Sequence, residues 1–443
     1  MTDTLIVGAG ISGLSCAWFL RARGQQVRVL EAGVQPGGCL TSTHDDGFLV
    51  EGGPNSTLMR NGALGELIHG LGLDAELLEA NSAAKRRYVV KHDRLVALPG
   101  SPPAFLASPL FSAGAKLRLL LEPFHRRARE EESIAQFVRR RLGPEFLDWA
   151  IDPFVSGVYA GDPERLSVRA AVAKIYALER DYGSLILGAL ARLRAARAVG
   201  PMPVGRLISF RDGMQALART LAAQLGDALQ CGAEVAAIER RGDTWIVRTA
   251  AAEHRAARLV LSVPAYRAAT LLEPLDAALA AELAAIHYPA VASVALGFDR
   301  EQVGHPLDGF GMLIPSREGR TTLGALFSST LFPGRAPAGQ VLLTAFIGGA
   351  RRPEIAARDE DAIVQQVLAD LAPLLGIQGV PRFQRVRRWP RAIPQYGLGH
   401  LERLARIDAR LAQWPGLELR ANWRDGISVA DCVAQAQLLA GRL

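Results

Sequence analysis

The sequence is poor in cysteine and lysine. Its four cysteines, Cys16, Cys39, Cys231 and Cys432, form no CxxC pair, and its eight histidines show no ligand spacing. Neither a disulfide framework nor a metal site is therefore expected. Lys85, Lys91, Lys116 and Lys174 are the only lysines, which leaves 47 of the 51 basic residues as arginine. The formal balance of +7 is spread along the chain, so no nucleic-acid surface is expected. A basic excess of this kind suits an anionic substrate or a membrane surface. No run of 18 uninterrupted apolar residues exists. The Ala-rich stretch 262–298 is broken by Arg267, Glu273, Asp276 and Glu282. No transmembrane helix is expected, and the start of the chain lacks a signal-peptide pattern, so a reducing cytoplasmic setting is the expectation. With 443 residues, 49% of them apolar and 21% charged, the chain reads as globular, with about three structural units.

What is present begins at the N-terminus. Thr4-Leu5-Ile6-Val7 is a short apolar run. Gly8-Ala9-Gly10-Ile11-Ser12-Gly13 follows, then Leu14–Leu20 with helical character, then the strand-like Val27–Leu30 and Glu31. Strand, GxGxxG, helix, strand and acid in this order make a dinucleotide-binding unit. Gly8 permits the tight turn, Gly10 lets the backbone approach a pyrophosphate, and Gly13 lets the helix pack against the strand. Free N–H groups and the positive dipole end at the helix start suit phosphates. Glu31 accepts from ribose hydroxyls and disfavours a 2′-phosphate. The bland alternative is a glycine-rich turn without a ligand. The doublet Gly37-Gly38 and then Glu51-Gly52-Gly53-Pro54-Asn55-Ser56 come next. Glycines there let backbone amides approach a flat ring system. A simple NAD enzyme does not need the doublet. Flavoproteins of the amine-oxidase superfamily resemble this pattern, which points to FAD.

Along the rest of the chain the pattern suggests an α/β protein with a discontinuous, Rossmann-like FAD-binding domain in three segments, 1–84, 205–265 and 395–443. A hairpin at 85–98 and residues 266–394 form a β-rich substrate domain. Residues 99–204 form a helical, membrane-associating insertion. A strand is expected to begin at Cys231, and others at Trp245–Thr249, Arg258–Val263, Ala292–Phe298, Met312–Ile314, Leu323–Phe327 and Val341–Ile347.

Residues 152–167, from Asp152-Pro153-Phe154 through Gly157-Val158-Tyr159-Ala160-Gly161 to Ser167, resemble the signature segment of the protoporphyrinogen oxidase family. Gly53–Ser56, Gly309–Pro315, Leu323–Ser329, Ile393–His400 and Gly426–Cys432 are similar to the same family in the expected order. The resemblance implies non-covalent FAD and oxidation of protoporphyrinogen IX to protoporphyrin IX in haem synthesis. Molecular oxygen accepts the electrons in three two-electron steps, and hydrogen peroxide is formed. Oxidation of coproporphyrinogen III is the alternative, because its enzymes share most of these motifs. Another amine-oxidase-superfamily flavoenzyme would want an aromatic pair, for which Trp423 supplies one member and no second is evident. A flavin carrier without turnover is the non-enzyme alternative. The flavin carries the chemistry, so no side chain is named as a catalytic acid or base.

The same resemblance implies the site residues. Gly8, Ala9, Gly10, Ile11, Ser12, Gly13 and Glu31 hold the dinucleotide. Gly38 and Cys39 pack by the flavin, and Gly53, Pro54, Asn55 and Ser56 pass between flavin and substrate. Val235 meets the adenine through its backbone, although a core strand valine is the plain alternative. Ile427, Ser428 and Val429 aim the start of the last helix at the flavin; the plain alternative is a terminal helix capped by Ser428. Ala421 departs from the Gly-Asn common in relatives. Arg87 takes a propionate, with Arg86 leaving the register open. Leu313, Leu326 and Phe346 form pocket walls, or else ordinary strand core, and the Gly157 carbonyl accepts a pyrrole N–H. Residues 99–129 hold Phe105, Leu106, Phe111 and Leu117–Leu121 beside Lys116, Arg118, Arg126, Arg127 and Arg129. That pattern suits peripheral contact with anionic lipid on the inner face of the cytoplasmic membrane. An amphipathic surface helix is the plain alternative, and a homodimer is left open.

Overall fold

The computed structural model describes residues 2–59, 62–199 and 205–443. Two seven-stranded sheets carry the fold. The first contains β1 (Thr2–Val7), β2 (Val27–Leu30), β10 (Leu229–Gln230), β11 (Val235–Arg241), β12 (Thr244–Thr249), β13 (Glu253–Leu261) and β19 (Leu417–Leu419). Their order is β10–β2–β1–β13–β12–β11, with β19 also beside β13. β1 runs parallel to β2 and β13, and β13 to β19, whereas β11, β12 and β13 are antiparallel. The parallel part is buried on both faces, which is why Leu5-Ile6-Val7 and Leu259-Val260-Leu261 read as unbroken apolar runs. Ile6, Val29 and Val260 pack under the first helix (Ile11–Arg21) and the last helix (Val429–Ala440). Leu5, Val7, Leu259 and Leu261 face Leu272, Leu283 and Ile407 on the other side.

One expected strand starts late. Cys231–Glu234 is a connection, and β11 begins at Val235. Gly232 N–H donates to Gly33 O and Ala233 N–H to Glu31 O, at 2.9 and 2.8 Å. These bonds tie the segment to the turn after β2 rather than to a ladder.

The second sheet orders β18 (Phe383–Trp389), β14 (Val291–Asp299), β17 (Gln340–Gly348), β16 (Thr322–Leu326), β15 (Gly309–Leu313), β7 (Arg86–Lys91) and β8 (Arg94–Ala97). Strand residues alternate between its faces. Tyr88, Met312, Ala325, Ala345 and Val294 point to a core completed by Ile363, Val367 and Leu371 of the helix Glu360–Leu375. Their neighbours point the other way, towards the helical segment and towards Phe48 and Val50. Two small units complete the strands: the hairpin β3 (Ser42–Asp45) with β4 (Phe48–Glu51), and a three-stranded sheet of β5 (Thr57–Met59), β9 (Arg206–Phe210) and β6 (Leu77–Glu79).

Between β8 and β9 the described chain is helical. Phe111, Phe137, Val138, Phe146, Leu147 and Val155 form its core, and Val89 of β7 joins them. Arg141 is fully buried there between Glu122 and Glu179, and Glu122 also accepts from the Leu185 and Ile186 amides. A buried arginine needs such partners, and this one ties four helical pieces together.

Candidate active site

β1 ends at a turn whose glycines differ in their surroundings. Gly8 has φ +102°, and a Cβ there would lie 2.5 Å from Ser262 O. A Cβ on Gly13 would lie 2.0 Å from Gly8 O, whereas one on Gly10 would meet nothing within 4 Å. Gly8 and Gly13 are thus required by packing, and Gly10 faces open space. Glu31 knots this turn to the next: its carboxylate accepts from Ala9 N–H at 2.6 Å and Gly33 N–H at 2.7 Å. Lone pairs remain on it for hydroxyl donors.

The amides of Gly10, Ser12 and Gly13 find no acceptor among the described residues. Those of Ile427, Ser428, Val429 and Ala430 find none either. The flanking amides are occupied, Gly426 N–H by Tyr396 Oη and Asp431 N–H by Ser428 Oγ. Both groups of free donors start helices that share one core. Their ends meet at Cys432, whose thiol is pushed up to about 12 by burial while the Ser12 hydroxyl opposes the shift. Cys39 offers accessible surface, and desolvation of its thiol raises its pKa.

The backbone around Cys39 is tightly stacked. Gly38 takes φ +60°, and its Cβ would lie 3.2 Å from Gly10 Cα; a Cβ on Gly53 would lie 2.1 Å from Cys39 O. Asn55 Nδ2 donates to Gly53 O at 3.2 Å and braces the turn through Pro54 and Ser56. Before that turn, Glu51 is buried and its pKa raised by burial. It accepts from Ser42 Oγ and Met214 N–H, and Arg335 stands 3.5 Å away. Arg335 itself donates to Ser209 Oγ and Phe210 O. One buried ion pair therefore holds the end of β4, β9 and the segment before β17 together. Val235, the first residue of β11, lies just beyond the Glu31 turn.

Strand register places the other candidates. One row across the second sheet is Arg87, Gly311, Leu326, Thr344 and Ala295; the next row on that face is Val89, Leu313, Gly324, Phe346 and Ser293. Arg87, Leu313, Leu326 and Phe346 thus share the face opposite the Glu360–Leu375 helix. The three apolar residues are half-buried, whereas Met312, Ala325 and Ala345 on the other face are fully buried. Gly157 reaches this face: its Cβ would lie 2.3 Å from Leu313 Cδ2. The arginine register is also resolved. Arg86 points to the opposite face and pairs with Asp308, as does Tyr88 Oη. Arg87 has no carboxylate partner among the described residues, and its guanidinium lies 5.3 Å from the Phe310 ring centroid. Trp389 joins the two halves of the site, its indole N–H donating to Gly52 O at 2.6 Å. Sequence reasoning assigned no role to Trp389, Arg335 or Tyr396; their roles depend on partners far along the chain.

Trp423 is fully buried and its N–H donates to Val263 O at 3.2 Å. It serves the core, so no face of its ring is open to flank a bound ring.

A parallel βαβ cradle with a knotted acid, two sets of free helix-start amides and an adjoining apolar face define a dinucleotide-dependent oxidoreductase. The flavin containing amine oxidoreductases match this chain over residues 11–441, and the chain belongs to that family. FAD is its cofactor, and the free amides and the space beside Gly10 fit it. Among curated relatives, the chloroplastic protoporphyrinogen oxidase of Nicotiana tabacum is 35% identical over 100% of this chain and 85% of its own length. The coproporphyrinogen III oxidase of Bacillus subtilis (strain 168) is 28% identical over 98% of this chain and 96% of its own length. A solved structure from Exiguobacterium sp. 255-15, provisionally named a protoporphyrinogen oxidase, superposes with TM-score 0.85 at 26% identity, covering 100% of this chain and 98% of that one.

Proposed function

We propose that the chain oxidises protoporphyrinogen IX to protoporphyrin IX, a step of haem synthesis. One juxtaposition carries this proposal. Free amides at the starts of the first and last helices lie on the cofactor side, and Trp389 ties that side to a half-buried apolar face ending in an unpaired Arg87. Bound FAD supplies a two-electron hydrogen acceptor for each of three steps, and oxygen restores it with formation of hydrogen peroxide.

The chain's own residues bind, orient and stabilise. Arg87 offers a planar, charged donor pair to a propionate. Leu313, Leu326 and Phe346 take the macrocycle out of water. The Gly157 carbonyl accepts a pyrrole N–H, and Asn55 keeps the Gly53–Ser56 turn in shape between cofactor and substrate. The Ile427–Ala430 amides would help to hold FAD and would favour negative charge on a ring bound before them. Within the two rows of the substrate face, arginine is the only ionisable residue, so protons pass between pyrrole N–H groups and solvent. The plant relatives support protoporphyrinogen. The Bacillus and Staphylococcus relatives, named for coproporphyrinogen III oxidation, support that substrate as a second reading of the same pocket. Aerobic incubation with each porphyrinogen, read by porphyrin fluorescence and peroxide, decides between them. A yellow protein giving neither signal with either substrate overturns both.

The helical insertion carries a second part of the proposal. Leu106, Leu117, Leu120 and Phe124 are exposed, with Arg118, Arg126 and Arg127 close in sequence. This pattern supports docking on anionic lipid at the inner face of the cytoplasmic membrane. Among the described residues no helix is long and apolar enough to cross a bilayer. Co-sedimentation with anionic liposomes at low salt, lost at high salt, is expected; absence of binding at low salt removes this part.

A further inference from the structure

Among the described residues Tyr396 makes no hydrogen bond to those proposed for substrate, yet it holds the segment proposed to face the cofactor. Its ring is 7% exposed and lies flat on the imidazole of His400, with centroids 4.4 Å apart at an interplanar angle of 11°. Its hydroxyl donates to Asn422 O at 2.5 Å and accepts from Gly426 N–H at 2.9 Å. These two backbone groups bracket the turn that leads into the last helix. Gly426 sits at φ +133°, and a Cβ there would lie 2.5 Å from Asp431 Cβ, which leaves the turn little freedom. Immediately beyond it come the free amides of Ile427 to Ala430.

The helical insertion grips the other side of Tyr396. Ser167 N–H donates to Tyr396 O at 2.9 Å. Glu131 accepts from the Ser167 hydroxyl at 2.5 Å and from Gly399 N–H at 2.7 Å. An unbroken chain of bonds thus runs from the insertion, through Glu131, Ser167 and Tyr396, to the turn before the last helix.

We infer that Tyr396 is a positioning residue, through which the helical insertion fixes the Ile427–Ala430 amides against FAD. The inference rests on the proposed placing of those amides at the flavin. Preorganised donors act only while their backbone is held. Removing the hydroxyl strips two backbone groups of their partner and frees the turn. Tyr396→Phe is therefore expected to weaken FAD binding about tenfold in a flavin-fluorescence titration, the scale of one orphaned backbone pair. It is also expected to move the midpoint potential of the bound flavin to more negative values, because the reduced ring loses its donors. Glu131→Gln should shift both in the same direction by less, and the double variant should add little to Tyr396→Phe. Tyr182→Phe, on the exposed side of the insertion, should change neither. Affinity and potential both unmoved in Tyr396→Phe overturn the inference. If that variant fails to fold, an unmoved potential in Glu131→Gln overturns it instead. Neither readout uses a porphyrinogen. A shifted potential in a protein that turns over neither porphyrinogen supports the Tyr396 role and removes the substrate proposal.

Discussion

Arg86 and Arg87 show how one residue of register separates two fates. They are adjacent and both basic, and composition cannot rank them. β7 sends Arg86 to Asp308 and leaves Arg87 on the apolar face. Arg87→Ala is expected to raise KM for a porphyrinogen at least tenfold, as loss of a charge-assisted bond of about 1.5–3 kcal/mol implies. Arg86→Ala should leave KM within about twofold; equal effects of the two would refute the assignment. His400 supplies a pH-dependent test. Burial, and then the nearby Arg403, lowers its pKa from 6.5 to about 4. A depressed folded-state value means that stability is present above pH 6.5 and is lost as pH falls towards 4. The full shift corresponds to about 3 kcal/mol. His400→Phe keeps a ring against Tyr396, and urea unfolding across that pH range should show the slope reduced.

At the scale of elements, the glycine turn after β1 makes a sharper test than its motif suggests. Gly13→Ala drives a Cβ into Gly8 O, so unfolding of the apoprotein should show a loss of about 1–3 kcal/mol or more. Gly10→Ala meets no protein atom, so the apoprotein should keep its stability while FAD affinity falls. Similar apoprotein losses in both variants would contradict the placement of the cofactor beside Gly10. The short apolar runs at Ala292–Phe298 and Val341–Ile347 were legible as strands because β-branched and apolar residues cluster there between turn residues, and β14 and β17 cover them. Strand order was not legible. β7 pairs with β15 across more than two hundred residues, and no local pattern encodes that choice. The late start of β11 was missed for a similar reason, since Gly33 and Glu31 capture the Gly232 and Ala233 amides from far upstream. The GxGxxG unit and Glu31 were legible because each part lies within a few residues of the next.

At the scale of the whole molecule, the pair Glu51–Arg335 joins the strand before the Gly52–Ser56 turn to β9 and to the segment leading into β17. Arg335→Leu leaves a buried carboxylate unpaired, and a loss of about 3–5 kcal/mol is expected on unfolding. A change under about 1 kcal/mol would mean that these segments are held by other contacts. Glu51 heads a glycine-rich stretch that stands out in the sequence, but its partner Arg335 lies far along the chain in unremarkable surroundings, so the pair could not be read there.

β13 lies between β1 and β19, so strands from the beginning and the end of the chain flank one central ribbon. The donor groups at the start of the last helix lie far along the chain from those of the first helix and come beside them through packing on this shared sheet. Neither end segment alone presents more than half of the proposed cradle. Tight flavin capture is thus expected to require both segments folded together around β13, so that acquisition of colour reports completed assembly of this sheet.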